Sequence, residues 1–129
     1  MERQILIVED DAAVCWAMTQ ALEAENFTVI TAPNAAQARR KVKRTVPALI
    51  ITDLRMPGED GDSLLRWLRE THPSIPVIVT SAFGDMDTIV GVLQHGAVDF
   101  LPKPIDLTRL LKLVTASLAE VVGTANLLL

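Results

Sequence analysis

A single doubly wound α/β domain, five parallel strands flanked by five helices, is the fold class that the 129-residue sequence predicts. Short aliphatic runs alternate with longer amphipathic stretches along the chain. The strand-like runs are apolar without interruption, so both faces of the sheet need covering, and no hairpin signal joins one strand to the next. Parallel strands then require crossover helices, which are right-handed and pack on both sides of the sheet. One common arrangement is the order 2-1-3-4-5, which makes the first and third strands neighbours.

Ile5 to Val8 is the first strand. From Asp11 to about Glu25, Val14, Met18, Ala21 and Leu22 recur at helical spacing, with Asp11 or Asp10 placed to cap the helix start. Phe27 to Thr31 reads as the second strand, and Ala35 to about Arg44 as a helix ended by the Val46-Pro47 step, because a residue before proline is driven out of the helical region. Leu49 to Thr52 is the third strand. The segment from Leu54 to Gly61 holds one Pro and two Gly and is a loop, followed by a helix from about Ser63 to Glu70. Val77 to Thr80 is the fourth strand, about Met86 to Gln94 a helix closed by Gly96, Val98 to Leu101 the fifth strand, and Leu107 to about Val121 the last helix. No linker, repeat or low-complexity tract divides the chain. Residues 1–122 are therefore expected to form the domain, and residues 123–129, ending in three leucines, to begin a linker or tail leading to an output domain.

Composition narrows the function classes. Hydrophobic residues make up 50% of the chain and charged residues 22%, with a formal net charge of −4. A chain of this length buries about two-thirds of the surface its unfolded form exposes, so it folds without a disulfide or metal staple. Intrinsic disorder is excluded. Three Phe, two Trp and no Tyr leave the core to aliphatic side chains. No apolar run approaches the roughly 18 to 20 residues of a membrane span, and Met1-Glu2-Arg3 leads into no signal-peptide core, so a cytoplasmic chain with no membrane partner is expected. Cys15, alone, cannot form an internal bridge, and the acidic balance argues against direct nucleic-acid contact.

Ligand sites in open parallel sheets lie beyond the carboxyl ends of the strands, where the strand order reverses. Glu9, Asp10 and Asp11 follow the first strand, Asp53 the third, Thr80 and Ser81 end the fourth, and Lys103 follows the fifth. Carboxylates crowded together repel unless a cation neutralises them, and hard oxygen donors with no His or Cys nearby select Mg²⁺ over zinc or copper. Two carboxylates and a backbone oxygen leave coordination positions for water or phosphate oxygens, the layout of a phosphoryl-transfer site without a nucleotide loop. Singly, the residues say less. Acids at a helix start serve equally as caps, and a lysine between Pro102 and Pro104 is equally a surface residue. Asp53 differs, because it directly follows a buried strand, where an unpaired carboxylate is costly, and precedes a Pro/Gly loop.

The order Ile-Leu-Ile-Val-Glu9-Asp10-Asp11, Thr-Asp53-Leu-Arg-Met-Pro-Gly58, Val-Thr80-Ser81-Ala82 and Asp-Phe100-Leu-Pro-Lys103-Pro104 resembles the receiver domain of bacterial two-component response regulators. The resemblance runs from about Gln4 to Val121, and the second and fourth motifs look most like the nitrogen-regulation (NtrC-like) type, in which the receiver precedes an ATPase domain and a DNA-binding domain. It implies a flavodoxin/CheY-like fold and assigns roles. Asp53 matches the phosphoacceptor, which takes a phosphoryl group from a sensor histidine kinase. Asp10 and Asp53 match Mg²⁺ ligands, the backbone carbonyl of Arg55 the remaining protein ligand, and Glu9 an acidic neighbour acting through water. Lys103 matches the cation that pairs first with the carboxylate and then with the phosphoryl oxygens, ahead of a usually cis peptide bond at Pro104. Thr80 and Ser81 both qualify as the hydroxyl residue by type; the family's spacing to the lysine and its small following residue select Ser81, with Ala82 leaving room. Phe100 falls on the aromatic switch position. The implied partners are the kinase, an output domain or partner protein controlling transcription, and a second copy in a homodimer.

An enzyme is the alternative reading: a Mg²⁺-dependent phosphohydrolase with an aspartyl nucleophile. Such enzymes of the haloacid-dehalogenase type carry a second Asp two positions beyond the nucleophile, where this chain has Arg55. A flavodoxin-like cofactor binder would need a phosphate loop where Glu9-Asp10-Asp11 would repel it. The basic run from Arg39 to Arg44 reads as a solvated helix end, His72 and His95 as surface residues away from the carboxylates, and Cys15 and Trp16 as packing residues of the first helix.

Overall fold

The computed structural model describes residues 3–56 and 58–127, with side-chain surroundings through residue 119. Pro57 of the central loop, and Leu128 and Leu129 of the expected tail, lie outside the described residues. In chain order the elements are β1 (Gln4–Val8), α1 (Ala12–Ala24), β2 (Thr28–Ala32), α2 (Ala35–Arg44), β3 (Leu49–Asp53), α3 (Gly61–Thr71), β4 (Val77–Ser81), α4 (Met86–Gln94), β5 (Asp99–Pro102) and α5 (Leu107–Leu127). The sheet runs β2-β1-β3-β4-β5 with every neighbouring pair parallel, as the alternation of strand and helix required.

Each strand feeds two cores because its side chains alternate between the faces. Ile5, Ile7, Leu49, Ile51, Ile78 and Leu101 pack with Met18 and Leu22 of α1 and with Leu110 and Val114 of α5. Leu6, Val8, Ile50, Val77, Val79 and Phe100 pack with Val42 of α2, with Leu64, Leu65 and Leu68 of α3 and with Val92 of α4. Strands buried on both sides explain the uninterrupted apolar runs.

The helices start on acidic or amide caps. Asp11, rather than Asp10, caps α1, accepting the backbone N–H groups of Ala13 at 3.0 Å and Val14 at 3.2 Å and leaving Asp10 exposed at the end of the sheet. Asp60 accepts the N–H of Ser63 at 2.9 Å and so starts α3 at Gly61, two residues before the expected position. The last helix continues to Leu127 instead of ending near Val121, since a glycine such as Gly123 weakens a helix without by itself terminating it.

Three sequence expectations change. Trp16 is 66% exposed, because the buried stripe of α1 is Met18 and Leu22 and residue 16 falls on the far side of the helix from it. His95 is not an isolated surface residue: its Nδ1 lies 2.6 Å from Asp62 of α3. The basic end of α2 is only partly solvated. Arg39 pairs with Glu59 and its guanidinium stands 5.2 Å from the Trp67 ring centroid, and Lys41 donates to the Thr31 carbonyl, whereas Arg40 and Arg44 are exposed.

Candidate functional site

The carboxyl ends of β1, β3, β4 and β5 meet at one edge, and their backbones are tied there by bonds outside the regular ladder. Glu9 N–H donates to the Ala32 carbonyl at 3.0 Å, Leu54 N–H to that of Thr80 at 2.8 Å, and Lys103 N–H to that of Ser81 at 2.9 Å. The loop after β3 folds back so that Gly61 N–H reaches the Leu54 carbonyl at 2.8 Å. That close return needs glycine: a Cβ on residue 61 would lie 2.2 Å from the Asp53 carbonyl oxygen.

Glu9, Asp10 and Asp53 each bring a carboxylate oxygen to within 4.8 Å of the others, with Glu9 and Asp53 buried and Asp10 exposed. Lys103 reaches this cluster along the edge. Its Nζ lies 2.7 Å from Glu9 Oε1 and 3.0 Å from Asp53 Oδ2, and the peptide bond that follows it, to Pro104, is cis. Burial pushes the Glu9 carboxyl above its ordinary value and the nearby Asp53 charge adds to this, against the downward pull of Lys103 and the Asp11 N–H. One ammonium therefore leaves the cluster short of positive charge. Three carboxylates without a nitrogen or sulfur donor suit a hard divalent cation such as Mg²⁺.

The remaining predicted residues surround this centre. Arg55 N–H donates to Asp53 Oδ1 at 3.3 Å, so the backbone of residue 55 passes beside the carboxylate, while its guanidinium lies 5.2 Å from the ring centroid of the exposed Phe83. Ser81 is buried at the end of β4, and its Oγ accepts the Phe83 N–H at 3.0 Å. Phe100 is 5% exposed and sits among the core residues facing α2, α3 and α4, with its ring against Gly84. Sequence reasoning missed two features here: the direct Glu9–Lys103 ion pair, and the buried, unpartnered hydroxyl of Thr80, which stands opposite Asp53 in the β3–β4 register.

A doubly wound 2-1-3-4-5 sheet with an acidic cluster and a lysine at its carboxyl edge is the architecture of a receiver domain. Residues 5–115 match the family model described as the response regulator receiver domain, and the chain belongs to that family of two-component signalling proteins. Among curated relatives, it is 36% identical over 93% of its length to the DNA-binding transcriptional regulator NtrC of Escherichia coli K12, covering 26% of that protein. It is 39% identical over 85% of its length to the transcriptional regulatory protein KdpE of Staphylococcus aureus, covering 47% of that protein. The chain thus spans only a quarter to a half of these relatives. Among solved structures, a response regulator receiver protein from Pseudomonas putida superposes with a TM-score of 0.85 at 35% identity, covering 90% of this chain and 98% of that one. The beryllofluoride-activated NtrC4 receiver domain dimer gives 0.88 at 30% identity, covering 92% and 98%.

Proposed function

We propose that this domain accepts a phosphoryl group on Asp53 from the phosphohistidine of a sensor histidine kinase and uses the resulting change to control an output, in the first instance transcription. The observation that carries the reading is the pairing of a buried Asp53 carboxylate with the Lys103 ammonium, 3.0 Å apart, inside a three-carboxylate cluster. An Asp53 oxygen attacks phosphorus as the P–N bond to the donor imidazole breaks, and the imidazole leaves neutral or takes a proton from solvent. Asp10, Asp53 and the Arg55 carbonyl would hold Mg²⁺, with Glu9 acting through water, and the ion would supply charge neutralisation for the incoming phosphoryl oxygens. Lys103 holds the nucleophile in place beforehand and then moves its charge to a phosphoryl oxygen.

Ser81 is the hydroxyl residue of the proposed switch. Its Oγ holds the Phe83 N–H, so turning its O–H toward a phosphoryl oxygen pulls on the loop between β4 and α4. That loop contains Gly84, against which the Phe100 ring rests, and the disturbance passes to the face formed by α4, β5 and α5. The chain acts as phosphoacceptor and switch, with self-phosphorylation from small phosphodonors and autodephosphorylation as its only catalysis. Residues 1–122 form the receiver and those beyond it lead toward an output domain, in a cytoplasmic protein that pairs with a second copy. No helix of the described residues is long and apolar enough to cross a membrane.

Mass spectrometry after incubation with acetyl phosphate and Mg²⁺ tests the reading. The expected result is a hydroxylamine-labile gain of one phosphoryl group, absent from Asp53→Asn; no adduct on the native protein would overturn it.

A further inference from the structure

Thr80 carries a hydroxyl that is wholly buried and has no hydrogen-bond partner. An unsatisfied buried hydroxyl is costly, and valine would fill the same volume without that cost. Its place in the sheet gives it a use. Thr80 stands opposite Asp53 in the β3–β4 register and opposite Leu101 in the β4–β5 register. Residues opposed on neighbouring strands project to the same face, so Thr80 is flanked on one side by Asp53 and on the other by the position two residues before Lys103. Ser81, the last residue of β4, is not available in its place, since its Oγ is already engaged by the Phe83 N–H.

The Lys103 ammonium draws on Glu9 Oε1 and Asp53 Oδ2, and both carboxylates belong to the cluster fitted for a divalent cation. Cation and ammonium compete for the same oxygens and repel one another. Lys103 has a side chain only 18% exposed, so an acceptor inside the site competes with water for its ammonium when a carboxylate turns away. A threonine hydroxyl offers two acceptor lone pairs. The other unpartnered buried oxygen of a neutral side chain among the described residues is Gln4 Oε1, at the far end of β1.

We propose that Thr80 is a positioning residue for Lys103, its hydroxyl accepting a hydrogen bond from the ammonium when Glu9 and Asp53 turn toward a bound divalent cation. This rests on the reading of the acidic cluster as a Mg²⁺ site. The hydroxyl keeps the charge of Lys103 beside Asp53 while releasing the carboxylates.

Calorimetric titration of the full chain with Mg²⁺, together with the ¹⁵N signal of the Lys103 ammonium, tests it. A charge-assisted hydrogen bond of ordinary strength corresponds to about a tenfold effect, so Thr80→Val is expected to bind Mg²⁺ about tenfold more weakly and to lose the Mg²⁺-dependent shift of the ammonium signal. Thr80→Ser, which keeps the hydroxyl, restores both; Thr80→Ala reports the same loss where valine does not pack. Native-like Mg²⁺ affinity and ammonium shift in Thr80→Val, with a raised unfolding midpoint, would overturn the proposal and leave the cation site standing. A native chain that binds no Mg²⁺ would overturn both.

Discussion

The Lys103 ammonium lies 2.7 Å from Glu9 and 3.0 Å from Asp53, so the lysine is shared between two buried carboxylates and sits closer to the one that does not carry the proposed chemistry. Burial alone would lower the pKa of Lys103, but pairing with Glu9 and Asp53 prevails and holds it above its ordinary 10.5. A raised lysine contributes stability that is fully present below its unfolded value and is lost as pH climbs through the folded one. Glu9 has the same sign at lower pH. Raised in the fold above its ordinary 4.5, it binds more protons folded than unfolded, and stability falls as pH rises from that value through the folded one.

Lys103→Met in the presence of a chelator should therefore destabilise the domain unequally across pH. At pH 8 both carboxylates lose their counter-charge, and the expected loss is about 1 to 3 kcal/mol, below the usual figure for a broken buried pair because the lysine is partly solvated. At pH 5 Glu9, freed from the lysine's downward pull, takes up a proton more readily and the loss shrinks. Urea unfolding midpoints at the two pH values measure this; equal losses would mean that the ion pair is not what Lys103 contributes to stability.

Gly61→Ala should damage both the fold and the site. The new Cβ would lie 2.2 Å from the Asp53 carbonyl oxygen and 2.9 Å from Leu54 Cα, and backbone has no flexible end to give way. A cost of about 2 to 3 kcal/mol is expected. The forced shift falls on the residue that bears the nucleophile, and misplacement by about 1 Å costs roughly a hundredfold in rate. The rate of phosphoryl uptake from acetyl phosphate should thus fall far more than the folded fraction does.

Gly84→Ala provides the contrast. Its Cβ would lie 2.8 Å from Cε1 of Phe100, the far end of a side chain that can rotate. The stability change should stay below about 1 kcal/mol, with the entropy lost by the unfolded chain offsetting part of the strain. The Phe100 ring should move from its buried site, read as lost nuclear Overhauser contacts to the core facing α2, α3 and α4. A cost matching that of Gly61→Ala would show that the ring cannot yield.

The contrast between these glycines also marks what the sequence could convey. Apolar runs and the absence of hairpin signals were enough for a parallel sheet and for the approximate bounds of α2 and α4, because burial on both faces leaves a one-dimensional trace, whereas the order 2-1-3-4-5 came in as a common arrangement of such sheets. The motif order brought Glu9, Asp10, Asp53, Ser81 and Lys103 to one edge for the same reason. Contacts between distant side chains leave no such trace. Nothing local tells that Lys103 reaches across to Glu9, that Arg39 pairs with Glu59 beside Trp67, or that His95 meets Asp62. Trp16 failed for a related reason: hydrophobicity suggested burial, but its angular position on α1 lies on the far side from the buried stripe.

The position of Gly91 in α4 separates helix stability from packing. An added Cβ there meets nothing within 4 Å, since the residue faces a cleft of about 540 Å³ lined also by Leu54, Met56, Asp62 and His95. Only Val92 of this nine-residue helix is buried, so α4 is held by few apolar contacts, by its Asp85 cap and, just past its end, by the His95–Asp62 pair. Gly91→Ala should then add the helix propensity of alanine without strain, about 0.5 to 1 kcal/mol. In hydrogen exchange that gain appears as α4 amides protected about two- to fivefold more than in the native chain, with β1 and β3 unchanged. If α4 carries the phosphorylation response, the stiffer helix should also respond less to beryllofluoride, narrowing the difference in α4 protection between treated and untreated protein. Extra protection together with an undiminished beryllofluoride response would place the switching motion in the loop around Ser81 and Phe83, with α4 moving as a rigid body.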